Sequence, residues 1–336
     1  MKRFFSILGF LTLLSLDSQM GARSQSTGTD ARVIRVLCLP ARPLALVVAR
    51  EQHLFEKYGI EVQAEVATNS EALRAGLADE KFDVAHAAVD NAVALVEKNA
   101  TDVVVIMGGE GSTNELIAQP TVHSIAELRG KTVIVDAPRT AYALQLRKIL
   151  LLNQLEAERD YQSKAVGSTP LRLAALREHP EYAASILGPP TSLVAKRDGF
   201  LSLGTTETFL GPYQAIGGFT RRAWARQNHT LLVGYIAAYV EAQRWIQDPA
   251  HKGEVLTLLE REFKLSDALA IETYDAWIMA PQGLQRDSRI DLRGFQTVLN
   301  LRAELEHTWN GRVPAPDQYY DSTFYDAALR RINTVN

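Results

Sequence analysis

A chain of 336 residues that is 46% hydrophobic is long enough for two domains of ordinary size, each with its own core. Its formal net charge of −3 gives no sign of the strongly basic face that nucleic-acid binding needs. A single cysteine, Cys38, rules out an internal disulfide, and the seven histidines form no i, i+4 pair and no His-Glu-x-x-His run, which argues against a zinc site.

The chain opens with Lys2 and Arg3 ahead of an apolar run from Phe4 to Leu16. This reads as a secretion signal, because about a dozen apolar residues are too few to span a bilayer. Small residues at Gly21, Ala22, Ser24 and Ser26 offer cleavage points, so a cleaved leader over 1–26 is expected, with an uncleaved anchor or a misassigned start as the alternatives. No cysteine follows the apolar run at a lipid-attachment position, and the mature protein is expected to be soluble in the periplasm.

Val33 to Leu39 is rich in β-branched residues and reads as a buried strand, broken at Pro40 and Pro43. Leu44, Val47, Val48, Leu54 and Phe55 recur at helical spacing, predicting one helix that ends at Gly59. A strand over 60–66 follows, then a helix capped by Asn69 and Ser70 through Leu73 and Leu77. A strand over 83–88 leads past Asp90 and Asn91 into a helix reaching Lys98. Three β–α units in succession predict a parallel sheet with helices on both faces.

Asp102 to Met107 is a fourth strand, and Gly108-Gly109-Glu110-Gly111 follows it. A glycine-rich loop after a strand can cradle a phosphate, but only if it opens a helix. Here Leu116-Ile117-Ala118 continues as strand, so a bent strand is the preferred reading. Ser124 with Glu127 has capping-box spacing. A strand over 131–135 ends at Asp136, and a helix over 141–152 starts at Thr140. Its N-terminus, with Arg139 beside it, suits an anion; a solvated Arg139 is the alternative reading. A strand over 161–166, a turn and cap at Gly167-Ser168-Thr169, a strand over 182–187 stopped by Gly188-Pro189-Pro190, and a short strand over 200–203 complete this part. Tyr213 to Phe219 reads as a return crossing, and helices occupy most of the remainder from Arg221: one ending near Asp248, then about 249–263, 266–277, 291–307 and 322–332.

Several stretches together resemble one family. Ala49 to Val62, with Leu54-Phe55-Glu56-Lys57-Tyr58-Gly59, resembles the opening motif of the periplasmic solute-binding proteins related to nitrate, sulfonate, taurine and thiamine-pyrimidine binders; His53 stands where that family usually has Gly. Ala72-Leu73-Arg74-Ala75-Gly76-Leu77 followed by Phe82-Asp83-Val84-Ala85 resembles its second motif, and Ile125 to Val135, with Leu128-Arg129-Gly130-Lys131, resembles its most specific one. Asp317 to Asp321 is similar to its late Tyr-x-Asp segment. The chain departs from the family at Pro138-Arg139-Thr140, where sulfonate-type relatives tend to have Gly-Ser, and at His179 to Tyr182, which replaces the usual Gly and Asp.

The resemblance implies an α/β, bilobal periplasmic-binding-protein type II fold: two parallel-core sheets flanked by helices, with two crossover segments as hinge. Lobe I would hold 32–112 with 213–336, lobe II 113–212, and the hinge would lie near 108–116 and 204–218. It implies a solute-binding component of an ABC importer that delivers its ligand to a membrane permease, acting as a monomer without cofactor, metal or catalytic residues. Strand–helix junctions would supply the ligand contacts: Arg42, Pro43, Asn69, Ser70, Ala88, Asp90, Gly109, Gly111, Arg139, Thr140, Ser168 and Pro189. Arg42 and Arg139 suit a carboxylate, so the expected ligand is a small organic anion or a polar heterocycle. Asp90 either accepts a hydrogen bond from the ligand or caps the helix after it. A cleft enzyme and a periplasmic sensor are the alternatives. Cys38, inside an apolar strand, reads as packing, and His86 as a core or rim histidine.

Overall fold

The computed structural model describes residues 33–39 and 41–335; the expected leader over 1–26 and the turn residue Pro40 lie outside the described residues. Strand β1 (Val33–Cys38) is followed by helices α1 (Leu44–Glu51) and α2 (Leu54–Lys57), strand β2 (Glu61–Val66), helix α3 (Ser70–Ala78), strand β3 (Val84–Ala88), helix α4 (Asp90–Asn99) and strand β4 (Val103–Glu110). β1 pairs in parallel with β2, from Val33 opposite Glu61 to Cys38 opposite Val66, and on its other edge with β3.

The helix expected to run unbroken to Gly59 is divided. His53 takes a left-handed φ of 54°, which ends α1 and redirects the chain into α2. The redirection buries Phe55 and Tyr58 and stacks the Phe55 ring on Tyr235, with centroids 6.2 Å apart. The glycine-rich segment is strand as far as Glu110. Its glycines admit another stretch of backbone: a Cβ at Gly108 would lie 2.8 Å from the carbonyl oxygen of Arg289, and Gly108 N donates to Ser288 O at 2.8 Å.

Crossing to the second lobe, the chain forms β5 (Glu115–Ala118), a 3-10 turn at Ile125–Leu128, β6 (Thr132–Val135), α5 (Ala141–Leu152), β7 (Gln162–Ala165), α6 (Thr169–Glu178), β8 (Tyr182–Leu187), α7 (Thr191–Arg197) and β9 (Leu201–Thr205). The sheet order is β7-β6-β8-β5-β9, with β6 parallel to β7 and β8, and β5 antiparallel to β8 and β9. The capping box expected at Ser124 and Glu127 is not formed. Ser124 Oγ caps no backbone N–H and donates instead to the Glu127 carboxylate at 3.1 Å, which accepts also from the backbone N–H of His123.

Helix α8 (Thr206–Leu210) precedes the return to the first lobe. Strand β10 (Ile216–Arg221) then inserts between β3 and β4, antiparallel to both, giving the order β2-β1-β3-β10-β4. Both sheets are therefore mixed at one side of a parallel core. Helices α9 (Arg222–Gln227), α10 (His229–Ile246), α11 (Lys252–Phe263), α12 (Asp267–Thr273), α13 (Leu292–Glu306) and α14 (Thr323–Val335) complete the first lobe. Asn228 separates α9 from α10 in what reads as one helix by sequence, and α12 ends in a π-helical turn over Tyr274–Ile278.

α10 is buried nearly all round and packs with α1 and α14 on one face of the first sheet. α3, α4 and α13 cover the other face. Fully burying a side chain such as Leu232 or Ile236 contributes about 1.5–3 kcal/mol, so α10 anchors that lobe by packing. Charged pairs link the lobes: Lys148 of α5 with Glu304 of α13 at 2.5 Å, and Arg197 of α7 with Glu272 of α12 at 2.8 Å.

Candidate functional site

A cavity of about 180 Å³ lies between the two sheets. The first lobe contributes Arg42, Glu110, Tyr239, Gln243, Phe263 and Trp277 to its wall, and the second contributes Asn114, Tyr142, Thr169 and Pro189. A smaller cavity of about 40 Å³ shares Leu39, Tyr142 and Thr169 with it, so the two are chambers of one cleft.

In the larger chamber, Glu110 stands at the end of β4. Its Oε2 accepts from Trp277 Nε1 at 2.8 Å. Burial pushes this carboxyl up to about 7, against the opposing pull of the indole donor. Trp277 is delivered there by the π-helical turn, and the turn depends on Gly283, where a Cβ would fall on top of the Trp277 carbonyl oxygen. Gln243 of α10 donates from Nε2 to Gly109 O at 3.1 Å, which fixes the amide so that Oε1 is the buried atom without a partner among the described residues. Arg42 donates from Nη2 to Ala64 O at 3.2 Å and keeps a buried Nε without a partner.

One turn before Gln243, Tyr239 stacks on His86, with ring centroids 4.7 Å apart. His86 Nε2 and Tyr235 Oη are hydrogen-bonded at 2.8 Å, and burial lowers the imidazole to about 3, so it stays neutral. His86 and Tyr235 lie behind the cavity wall, and Tyr239 is the member of this layer that lines it.

In the smaller chamber, the first residues of α3, α5 and α6 converge. Asn69 caps α3 by accepting from Ala72 N at 2.8 Å. Thr140 caps α5, accepting from Ala143 N at 3.4 Å and donating to Asp136 at 2.5 Å. Arg172 is fully buried and donates to Ser185 Oγ, Gly167 O and Ile186 O at 2.7–3.0 Å, with its guanidinium 4.8 Å from the Tyr142 ring centre. Burial raises the Asp136 carboxyl, and the nearby Arg172 charge opposes that rise. These groups largely satisfy one another.

Of the residues expected to contact a ligand, Arg42, Pro43, Gly109 and Pro189 line the larger chamber, and Asn69, Ser70, Ala88, Thr140 and Ser168 line the smaller. Three are placed elsewhere. Asp90 lies in the first turn of α4, and both its oxygens are held by Arg302, with the two side chains only 3% and 1% exposed, so it is neither a cap nor a free acceptor. Arg139 sits in a left-handed turn with its side chain 69% exposed and paired with Glu306 at 3.1 Å. Gly111 gives its N–H to Gly283 O at 3.0 Å and has Gln282 pressed against it.

The sequence reading passed over Glu110, Tyr142, Tyr239, Gln243, Phe263 and Trp277 as site residues. Gln243 carried a signal, being a polar residue four positions after Tyr239 on an otherwise apolar helix face. Cys38 is buried, and its thiol is pushed up to about 12 by desolvation, which matches its reading as packing. Among the described residues, no group of three or more His, Cys, Asp or Glu is placed to hold a metal ion.

The model of the NMT1-like family matches residues 36–260, about two thirds of the chain. No curated protein matches. Among solved structures, the periplasmic nitrate-binding protein NrtA from Synechocystis PCC 6803 is similar at 13% identity and a TM-score of 0.75, over 91% of this chain and 90% of that one. A ligand-binding component of an ABC-type import system from Staphylococcus aureus is similar at 17% identity and a TM-score of 0.72, over 88% and 99%. The fold also occurs in the desulfurization enzyme DszB, at 14% identity and a TM-score of 0.63, over 89% and 99%. At these identities the neighbours speak for the fold, a bilobal periplasmic-binding-protein architecture, and the family rests on the sequence match together with the motifs that carry it from Val36 onward. The chain belongs to the NMT1-like family.

Proposed function

We propose that this protein is the solute-binding component of an ABC importer, taking a small organic solute, anionic or polar heterocyclic, into the cleft between its lobes and handing it to a membrane permease. The observation that carries the reading is the larger chamber: an aromatic-walled cavity between two lobes, lined by Glu110, in which Gln243 Oε1 and Arg42 Nε are buried without a partner among the described residues. Lobe I is taken as 32–112 with 213–336 and lobe II as 113–212. Closure works about the segments 108–116 and 204–218, and it buries the solute against the nine lining residues anticipated from sequence. The protein acts in the periplasm as a monomer after loss of a leader over 1–26, and it meets the membrane only through the permease.

A thermal-shift screen of the protein tests this. The panel holds sulfonates, nitrate, aromatic carboxylates, pyrimidines and polyamines. A ligand at a hundred times its Kd adds about 2.7 kcal/mol of stability. A saturable shift with the compound recovered intact supports the binder. Conversion of the compound would instead favour a cleft enzyme, for which Glu110, with its carboxyl near 7, is the acid–base group the chamber offers.

A further inference from the structure

The polar atoms left open in the larger chamber are of two kinds. Trp277 donates to Oε2 of Glu110, and among the described residues Oε1 takes no hydrogen bond. Gln243, only 1% exposed, spends its amide nitrogen on Gly109 O and leaves Oε1 as a second open acceptor. Arg42 supplies the opposite kind, a buried Nε–H whose guanidinium is otherwise engaged at Ala64 O. Buried polar atoms such as Gln243 Oε1 and Arg42 Nε are nearly always paired, so a guest is the group that completes them.

Resting on the solute-binding reading above, we infer that the guest is a nitrogen compound whose ammonium, amidinium or primary amino group meets Glu110 and Gln243, and whose acceptor end reaches Arg42. The wall supports a positive nitrogen. Tyr142, Tyr239, Phe263 and Trp277 surround the same space, and aromatic faces attract cations. A plain anion fits less well, because it brings no donor to the open acceptor Gln243 Oε1. The second guanidinium expected for an anion, Arg139, is spent outside the chamber on Glu306. Burial has already driven the Glu110 carboxyl up to about 7, and an arriving cation would restore its ionised form.

Two panels separate the outcomes, both read by thermal shift and then by titration calorimetry on the protein. One panel holds primary amines, amidines, amino-substituted heterocycles and amino acids; the other holds carboxylates, sulfonates and nitrate without a donor nitrogen. The expected result is a saturable binder from the first panel whose affinity falls about tenfold or more when its nitrogen is replaced by oxygen or methyl, and falls similarly in Glu110→Gln, as for a hydrogen bond to a charged group. The ligand-side replacement needs no variant, so it decides the matter even if Glu110→Gln folds poorly. A binder from the second panel that holds Glu110→Gln as tightly as the unmodified protein overturns this inference and leaves the solute-binding reading standing. No saturable binder from either panel overturns both.

Discussion

The indole Nε1–H of Trp277 reaches back across 167 positions of sequence to Oε2 of Glu110 at 2.8 Å, and so ties the C-terminal helices to the last residue of β4. The contact joins the two residues of the chamber that differ most in what they offer a guest, an aromatic face and an acid. It also holds the π-helical turn against the strand from which the chain leaves the first lobe.

Glu110 and His86 bend the stability profile in opposite directions. Glu110 rises from an ordinary 4.5 to about 7, so the folded protein keeps a proton that the unfolded chain has lost, and stability falls as the pH rises from about 4.5 to 7. His86 drops from 6.5 to about 3, so the unfolded chain takes up a proton first, and stability falls as the pH drops from 6.5 towards 3. Glu110→Gln removes the first slope only. Urea melts between pH 7 and 5 should show the variant losing stability more steeply on acidification than the unmodified protein; parallel curves would show that Glu110 titrates normally.

Asp90 and Arg302 form a buried ion pair whose partners are 212 positions apart in sequence. Breaking such a pair from one side leaves an uncompensated charge. Asp90→Leu alone should therefore cost about 3–5 kcal/mol in urea unfolding. Adding Arg302→Leu should recover a large part of that loss, because both charges then leave the interior together. Strictly additive losses would mean that the two side chains contribute independently.

His53 holds a left-handed backbone at φ 54° with its side chain 81% exposed. The cost of that conformation for a residue with a Cβ is about 1–2 kcal/mol, and glycine escapes it at an entropic cost of roughly 0.5–1 kcal/mol. His53→Gly should stabilise the protein by about 0.5–1 kcal/mol, seen as a small rise in Tm. A fall in Tm would mean that the weak pairing of His53 with Glu56 outweighs the strain.

Gln214 is a fully buried junction. It donates to Glu110 O at 3.0 Å and Ile216 O at 2.9 Å, and it accepts from Gln285 Nε2 at 3.1 Å and Asp291 N at 2.8 Å. Gln214→Ala leaves four polar groups short of a partner, and at about 1–3 kcal/mol for each one that stays dry the loss should reach 3 kcal/mol or more. Denaturant unfolding measures it. A loss under 1 kcal/mol would show that water replaces the side chain.

Much of the scaffold could be read locally. β8 runs from Tyr182 to Leu187 as its apolar run announces, and α5 runs from Ala141 to Leu152 behind Thr140, because caps and periodicity are properties of neighbouring residues. The insertion of β10 between β3 and β4 was not legible, since strand order depends on pairings remote in sequence. The site divides the same way. Asn69 was visible as a cap and Thr140 as a hydroxyl at a helix N-terminus, whereas Trp277 and Gln243 look like core residues until the fold brings them beside Glu110. Asp90 and Arg139 misled because the partners that neutralise them, Arg302 and Glu306, lie on a helix formed much later in the chain.

The place of β10 also sets an order of events in time. As the chain is made, β3 and β4 exist before the strand that must lie between them, so the first sheet stays open until residue 221 has emerged. The second lobe comes from one continuous stretch and closes on itself earlier. In refolding the whole chain is present, but β3 and β4 still wait for a strand distant in sequence while the second lobe is continuous. The amides of β5, β6 and β8 should therefore be protected from hydrogen exchange before those of β3 and β4.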